Sequence, residues 1–106
     1  MIAESKIAEV VDKIAKGFNP EKIILFGSYA AGNANDDSDL DLIIVQETSL
    51  PVLERGKDIR FSLLGTKIAF DLLLFTKKEF NERKKNKYSF LNSALKTSKI
   101  LYERTS

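Results

Sequence analysis

The sequence predicts an α/β protein, a small mixed sheet of about three to four strands with helices packed on it. Three observations point there. Short apolar runs at Ile23–Phe26, Leu42–Val45 and Leu72–Phe75 read as buried strands. Segments with helical spacing lie between and around them, and turn signals separate the two kinds. The length, 106 residues with 43% apolar and 30% charged side chains, suits one compact domain with one core. A chain of this size buries roughly two-thirds of the surface its unfolded form exposes.

The elements follow in order. Ile7, Val10, Val11, Ile14 and Phe18 recur at one-sided helical spacing, and Gly17 stands where such a helix would stop. Asn19-Pro20 signals a turn. Lys22–Phe26 reads as a buried strand ending sharply at Gly27-Ser28, with Ser28 as the N-cap of a short helix over Tyr29–Gly32. Asn33–Ser38 is a polar loop, and Asp39–Val45 a second strand. Leu50–Leu64 reads as a helix, with Pro51 in its first turn and Gly65 at its end. Ile68–Phe75 is the third strand. Thr76, with Glu79 three residues on, forms a capping box for a helix from Lys77. Tyr88–Lys96 reads as further helix and Lys99–Tyr102 as a last short strand.

Composition excludes whole classes of chemistry. There is no cysteine, hence no disulfide framework, no thiol catalysis and no cysteine-bound zinc or iron–sulfur site. There is no histidine either, which removes imidazole bases and Ser–His–Asp triads. Catalysis is left to carboxylates, hydroxyls, amines or a carboxylate-held metal. The N-terminal stretch lacks the pattern of a signal peptide, and no apolar run approaches a membrane span, so a cytoplasmic protein without a membrane partner is expected. Residues 1–50 carry 4 basic and 9 acidic side chains, whereas residues 51–106 carry 13 and 6. The basic half, with Arg83, Lys84, Lys85 and Lys87, fits an acidic partner or, more simply, a solvated helix face.

The informative stretch is Gly27-Ser28, ten residues, then Asp39-Leu40-Asp41. Alternate strand residues share a face, so Asp39 and Asp41 project together, with Cα atoms roughly 6.5–7 Å apart. Two carboxylates so close call for a cation, and oxygen-only ligands suit magnesium. Gly27 lets a ligand approach the backbone, and Ser28 offers a hydroxyl and an N–H to a phosphate. Asp71 is the one charge within Ile68–Phe75, and a carboxylate buried in such a run costs several kcal/mol unless paired or metal-bound. If its strand lies beside Asp39–Val45, three carboxylates converge; otherwise Asp71 is a salt-bridged edge residue. The pattern does not fit a Walker loop, an EF-hand or a dinucleotide-binding glycine triplet.

Ile23-Ile-Leu-Phe-Gly-Ser-Tyr-Ala-Ala-Gly, Ser38-Asp-Leu-Asp-Leu-Ile-Ile-Val and Phe70-Asp-Leu-Leu-Leu together resemble the polymerase-beta nucleotidyltransferase superfamily. More narrowly, they resemble minimal nucleotidyltransferase (MNT) proteins, many of which are antitoxins paired with a HEPN-domain toxin. The resemblance implies the polymerase-beta-like fold, with Gly27 and Ser28 holding a nucleoside triphosphate. It implies that Asp39, Asp41 and Asp71 bind two magnesium ions and that Asp71 helps to activate the attacking hydroxyl. One departure is Ala31, where the family frequently carries Arg. The implied activity is transfer of AMP from ATP to a hydroxyl, a tyrosine of a separate HEPN toxin. The alternatives are an antitoxin that inhibits by binding alone and a small-molecule nucleotidyltransferase. Direct nucleic-acid binding is not expected, since no residues remain for a domain to hold it. Homo- or hetero-oligomers fit the size. The basic run Arg83–Lys87 and Phe80, Phe90 and Leu91 are candidates for core or partner packing, and Tyr29 for covering the sheet edge or stacking on a base.

Overall fold

The computed structural model describes residues 1–105. Helix α1 (Glu4–Phe18) buries Val10, Val11 and Ile14. It runs one residue past Gly17. Asn19, in the left-handed conformation, donates its N–H to the carbonyl of Ala15, and Pro20 cannot continue the helix. Strand β1 (Lys22–Phe26) leads into the single turn α2 (Gly27–Ala31). Ser28 lies inside this turn and does not cap it: the turn starts at Gly27, and the cap position falls on Phe26, which is extended and provides no side-chain cap. Strand β2 (Leu40–Val45) begins after Asp39, not on it.

The expected helix over Leu50–Leu64 is broken into three pieces. A 3₁₀ turn covers Val52–Glu54, α3 spans Lys57–Ser62, and a second 3₁₀ turn covers Leu64–Thr66. The break falls where Arg55 is extended (ψ 139°) and Gly56 is left-handed (φ 79°). Apolar spacing could not reveal it, because Val52 before the break and Ile59 and Leu63 after it keep helical phase across it. Strand β3 (Phe70–Phe75) follows, then α4 (Lys77–Lys85), α5 (Phe90–Leu95) and β4 (Lys99–Glu103). The Thr76–Glu79 capping box is formed, and Ser89 caps α5 by accepting the N–H of Asn92.

The four strands form one mixed sheet in the order β3-β2-β1-β4. β1 is antiparallel to β2 and β4, and β2 is parallel to β3. Alternation along β2 divides the core between the two faces. Leu40, Leu42 and Ile44 pack with α1 and α3, while Ile43 and Val45 pack with Phe80 of α4 and Leu91 of α5. Covered on both sides, β2 is apolar at every position but one. Asp41 takes the turn of the α4/α5 face, at the end of the strand next to Gly27. Among the described residues no helix is long and apolar enough to cross a membrane.

Candidate active site

The parallel ladder of β2 and β3 sets Asp41 directly opposite Asp71. Paired strands lie about 4.8 Å apart and opposed residues face the same way, so the two carboxylates stand side by side. On the other flank of β2, Asp41 is opposite Phe26, the last residue of β1. The chain therefore turns at Gly27 beside the same carboxylate. Gly27 has φ 75°, and a Cβ built on it would overlap Oδ2 of Asp41 and lie 3.0 Å from its Cγ. Glycine alone accommodates both the dihedral and the carboxylate.

Asp41 is half-buried, and its carboxyl is held above the usual carboxylate range. Burial contributes most, followed by the negative charges of Asp71 and Asp39. Among the described residues, no ion pair or hydrogen bond engages the carboxylate of Asp39, Asp41 or Asp71. Asp71 is exposed, not buried as its apolar neighbours suggest, because β3 is an edge strand and its first residues lie beyond the cover of α4 and α5. Water rather than a counterion therefore meets the cost of its charge. Asp39, also exposed, sits one residue ahead of β2.

A turn fixes the approach to Asp39. The hydroxyl of Ser38 accepts the Asn35 N–H (2.9 Å), the side chain of Asn35 accepts the Asp37 N–H (2.8 Å), and Leu40 donates its N–H to Ala69 (3.0 Å). By sequence this stretch reads only as a polar loop. Its signal was Asn and Ser three apart, two residues that fold their own backbone into turns.

Among the described residues no three acidic side chains are already gathered into a cation cage. The chemistry of the donors nonetheless fits a hard divalent ion: they are all carboxylate oxygens, adjacent and unneutralised. Among the described residues the hydroxyl of Ser28 also has no partner, while its carbonyl accepts the N–H groups of Gly32 and Asn33. Tyr29 has a structural role. Its hydroxyl accepts the N–H of Ile2 (2.8 Å) and its ring packs against the α1-side core, so it ties the N-terminal segment to α2. The basic run Arg83–Lys87 is exposed, with the Arg83 guanidinium stacked 5.3 Å from the Phe75 ring. Phe80 and Leu91 are core, but Phe90 is 61% exposed and meets Phe26 edge-to-face at 5.8 Å. A cleft of about 780 Å³ between α1 and β4 lies on the face away from Asp41 and is lined mostly by apolar side chains.

A glycine turn beside clustered carboxylates on a mixed sheet is an arrangement suited to handling a nucleotide and a divalent ion together. Residues 6–106 match the family model described as "Polymerase beta, Nucleotidyltransferase". The chain belongs to that family and is a nucleotidyltransferase. It is similar to a Methanocaldococcus jannaschii protein bearing the name "Putative protein adenylyltransferase MJ0604", with 30% identity over 105 residues, 96% of this chain and 100% of that one. Two solved structures share the fold. One is "a putative nucleotidyltransferase from Sulfolobus solfataricus" (TM-score 0.65, 21% identity, covering 94% of this chain and 79% of that chain). The other is a "toxin-antitoxin with AMP-PNP" (TM-score 0.62, 20% identity, covering 92% and 74%).

Proposed function

We propose that this chain transfers AMP from ATP to the hydroxyl of a tyrosine on a partner toxin of the HEPN class, and that it thereby acts as that toxin's antitoxin. The observation that carries the reading is the pairing of Asp41 with Asp71 beside the Gly27–Ser28 turn. The name borne by the M. jannaschii relative and the toxin–antitoxin among the structural neighbours support the same direction.

Gly27 and Ser28 would hold the triphosphate, through backbone N–H groups at the start of α2 and the Ser28 hydroxyl. Asp39, Asp41 and Asp71 would hold magnesium, which when bound neutralises the phosphates and lowers the pKa of an oxygen in contact with it. The acceptor oxygen attacks the α-phosphorus, the bond to the β-phosphate oxygen breaks, and pyrophosphate leaves. Asp71, the carboxylate of the three that stands on the edge strand, takes the proton of the hydroxyl.

The test is to combine the chain with its HEPN partner, ATP and magnesium, and to record the intact masses of both proteins beside an Asp39→Asn/Asp41→Asn variant. A partner that gains one or more AMP masses only with the native chain establishes the transfer. A stable inhibited complex with unchanged masses in both samples would replace it with inhibition by binding alone.

A further inference from the structure

We infer that the acceptor protein docks in the groove on the outer side of β3, through a segment that combines an apolar anchor with acidic side chains. This rests on the transferase reading above and adds where the acceptor binds and what chemistry it presents.

Direction comes from the order of the sheet. Phe26, Asp41 and Asp71 are register partners in a row across β1, β2 and β3. A triphosphate held at Gly27–Ser28 lies at the β1 end of that row. In-line displacement requires the attacking oxygen opposite the leaving pyrophosphate. The acceptor therefore approaches from the β3 end, past Asp71.

At that end the structure has an open groove of about 420 Å³. Leu73 and Phe75 form its base, the 3₁₀ turn with Val52 and Leu53 makes one wall, and Arg83 and Phe90 line the other side. Leu53 is 88% exposed, Val52 62% and Phe90 61%. Three large apolar side chains around one groove, which starts on β3 at Leu72, the residue after Asp71, are the mark of a protein-binding surface rather than a solvated one. The nearby guanidiniums divide by role. Arg55 is bound to Glu79 and to the carbonyl of Leu50, and Arg60 to the carbonyls of Arg55 and Leu72. Arg83 sits over the Phe75 ring and, among the described residues, is paired with no carboxylate. It also opens a run with Lys84, Lys85 and Lys87, none of which is ion-paired among the described residues. An acidic, partly apolar segment complements this surface in both respects, and a tyrosine within it would reach Asp71 from the required side.

The probe is a fluorescein-labelled random copolymer of glutamate and tyrosine, compared at physiological salt with a lysine–tyrosine copolymer and a single-stranded oligothymidylate. Binding is read by fluorescence anisotropy, and transfer from α-labelled ATP is read separately. The glutamate–tyrosine copolymer is expected to bind best. Arg83→Glu and Leu53→Asp should each weaken it at least tenfold, while Lys16→Glu on α1, the same charge change on the opposite face, leaves it unchanged. Leu53 is so exposed that Leu53→Asp keeps the test valid should Arg83→Glu lower stability. Equal binding to native chain and both variants, or tighter binding of oligothymidylate, overturns the inference. ATP bound and hydrolysed with no copolymer binding leaves the transferase reading standing and removes this one. Copolymer binding that depends on Arg83 and Leu53 without any ATP binding does the reverse.

Discussion

Asp41 and Asp71 face each other across the β2–β3 ladder, two carboxylates on neighbouring strands that are, among the described residues, paired with no basic side chain. Like charges directly opposed in a sheet are destabilising. The free protein thus carries an electrostatic cost at the place where a cation and a triphosphate would relieve it.

Replacing one of the pair makes this measurable. Asp41→Asn is expected to raise the thermal midpoint of the metal-free protein at pH 7 by a few degrees, from about 0.2–1 kcal/mol of relieved repulsion, while abolishing transfer. The pH dependence has a definite sign. The folded-state pKa of Asp41 is raised, so its contribution to stability is full below the ordinary carboxylate value of 3.8 and is lost as pH rises through the raised one. The variant's advantage should accordingly shrink toward pH 4. A native chain at least as stable as the variant at pH 7 would show that the repulsion is already compensated.

Magnesium should reverse that order. Millimolar magnesium is expected to stabilise the native chain, by about 2.7 kcal/mol if its concentration reaches a hundredfold over Kd, read as a higher melting temperature. The Asp39→Asn/Asp41→Asn variant should not respond. An identical shift in both proteins would place the ion elsewhere.

Gly27→Ala tests the fit between the turn and the carboxylate. The alanine must adopt a left-handed φ, at a cost of roughly 1–2 kcal/mol, and its methyl must displace the side chain of Asp41. We expect a lower melting temperature and a fall in transfer of at least a hundredfold, since a displacement of about 1 Å at a reacting centre can cost that much. Near-native activity would mean that the Asp41 carboxylate has another working position.

Away from the site, the Arg55–Glu79 pair joins the segment after the 3₁₀ turn to the capping box of α4, at 2.6 Å. The Arg55 hydrogen bond, with that from the Thr76 backbone next, holds the Glu79 carboxyl down to about 2. Glu79→Ala should cost roughly 1–2 kcal/mol at pH 7 in urea unfolding, through loss of the cap and of a charge-assisted bond. A lowered carboxylate stabilises above its unfolded pKa of 4.5, and that stabilisation fades as pH falls through about 2. Native and variant curves should converge in that window. A gap that persists at pH 2 would assign the effect to packing.

Much of this protein was legible locally. The capping box at Thr76, the strand at Lys22–Phe26, the strand read over Ile68–Phe75 and formed from Phe70 on, and the Gly27-Ser28 turn before Asp39 and Asp41 all depend on residues within a few positions of one another. Side-chain capping, alternation and turn chemistry act over that range. The helix expected over Leu50–Leu64 failed because apolar spacing is blind to a single extended residue at Arg55 followed by a left-handed Gly56.

By itself the sequence determined which side chains can do chemistry here: carboxylates and hydroxyls, with no imidazole or thiol, spaced along strands that must bury their other faces. It did not determine which carboxylates meet. That was decided by β3 pairing parallel to β2 in the one register that opposes Asp71 to Asp41, and by α4 and α5 stopping short of that end. Strand order and register are contacts between segments some thirty residues apart, selected by burial of Ile43, Leu72 and Phe75 against different layers. A one-residue slip would turn Asp71 into the core and an apolar neighbour into the site, so the packed core places the third carboxylate.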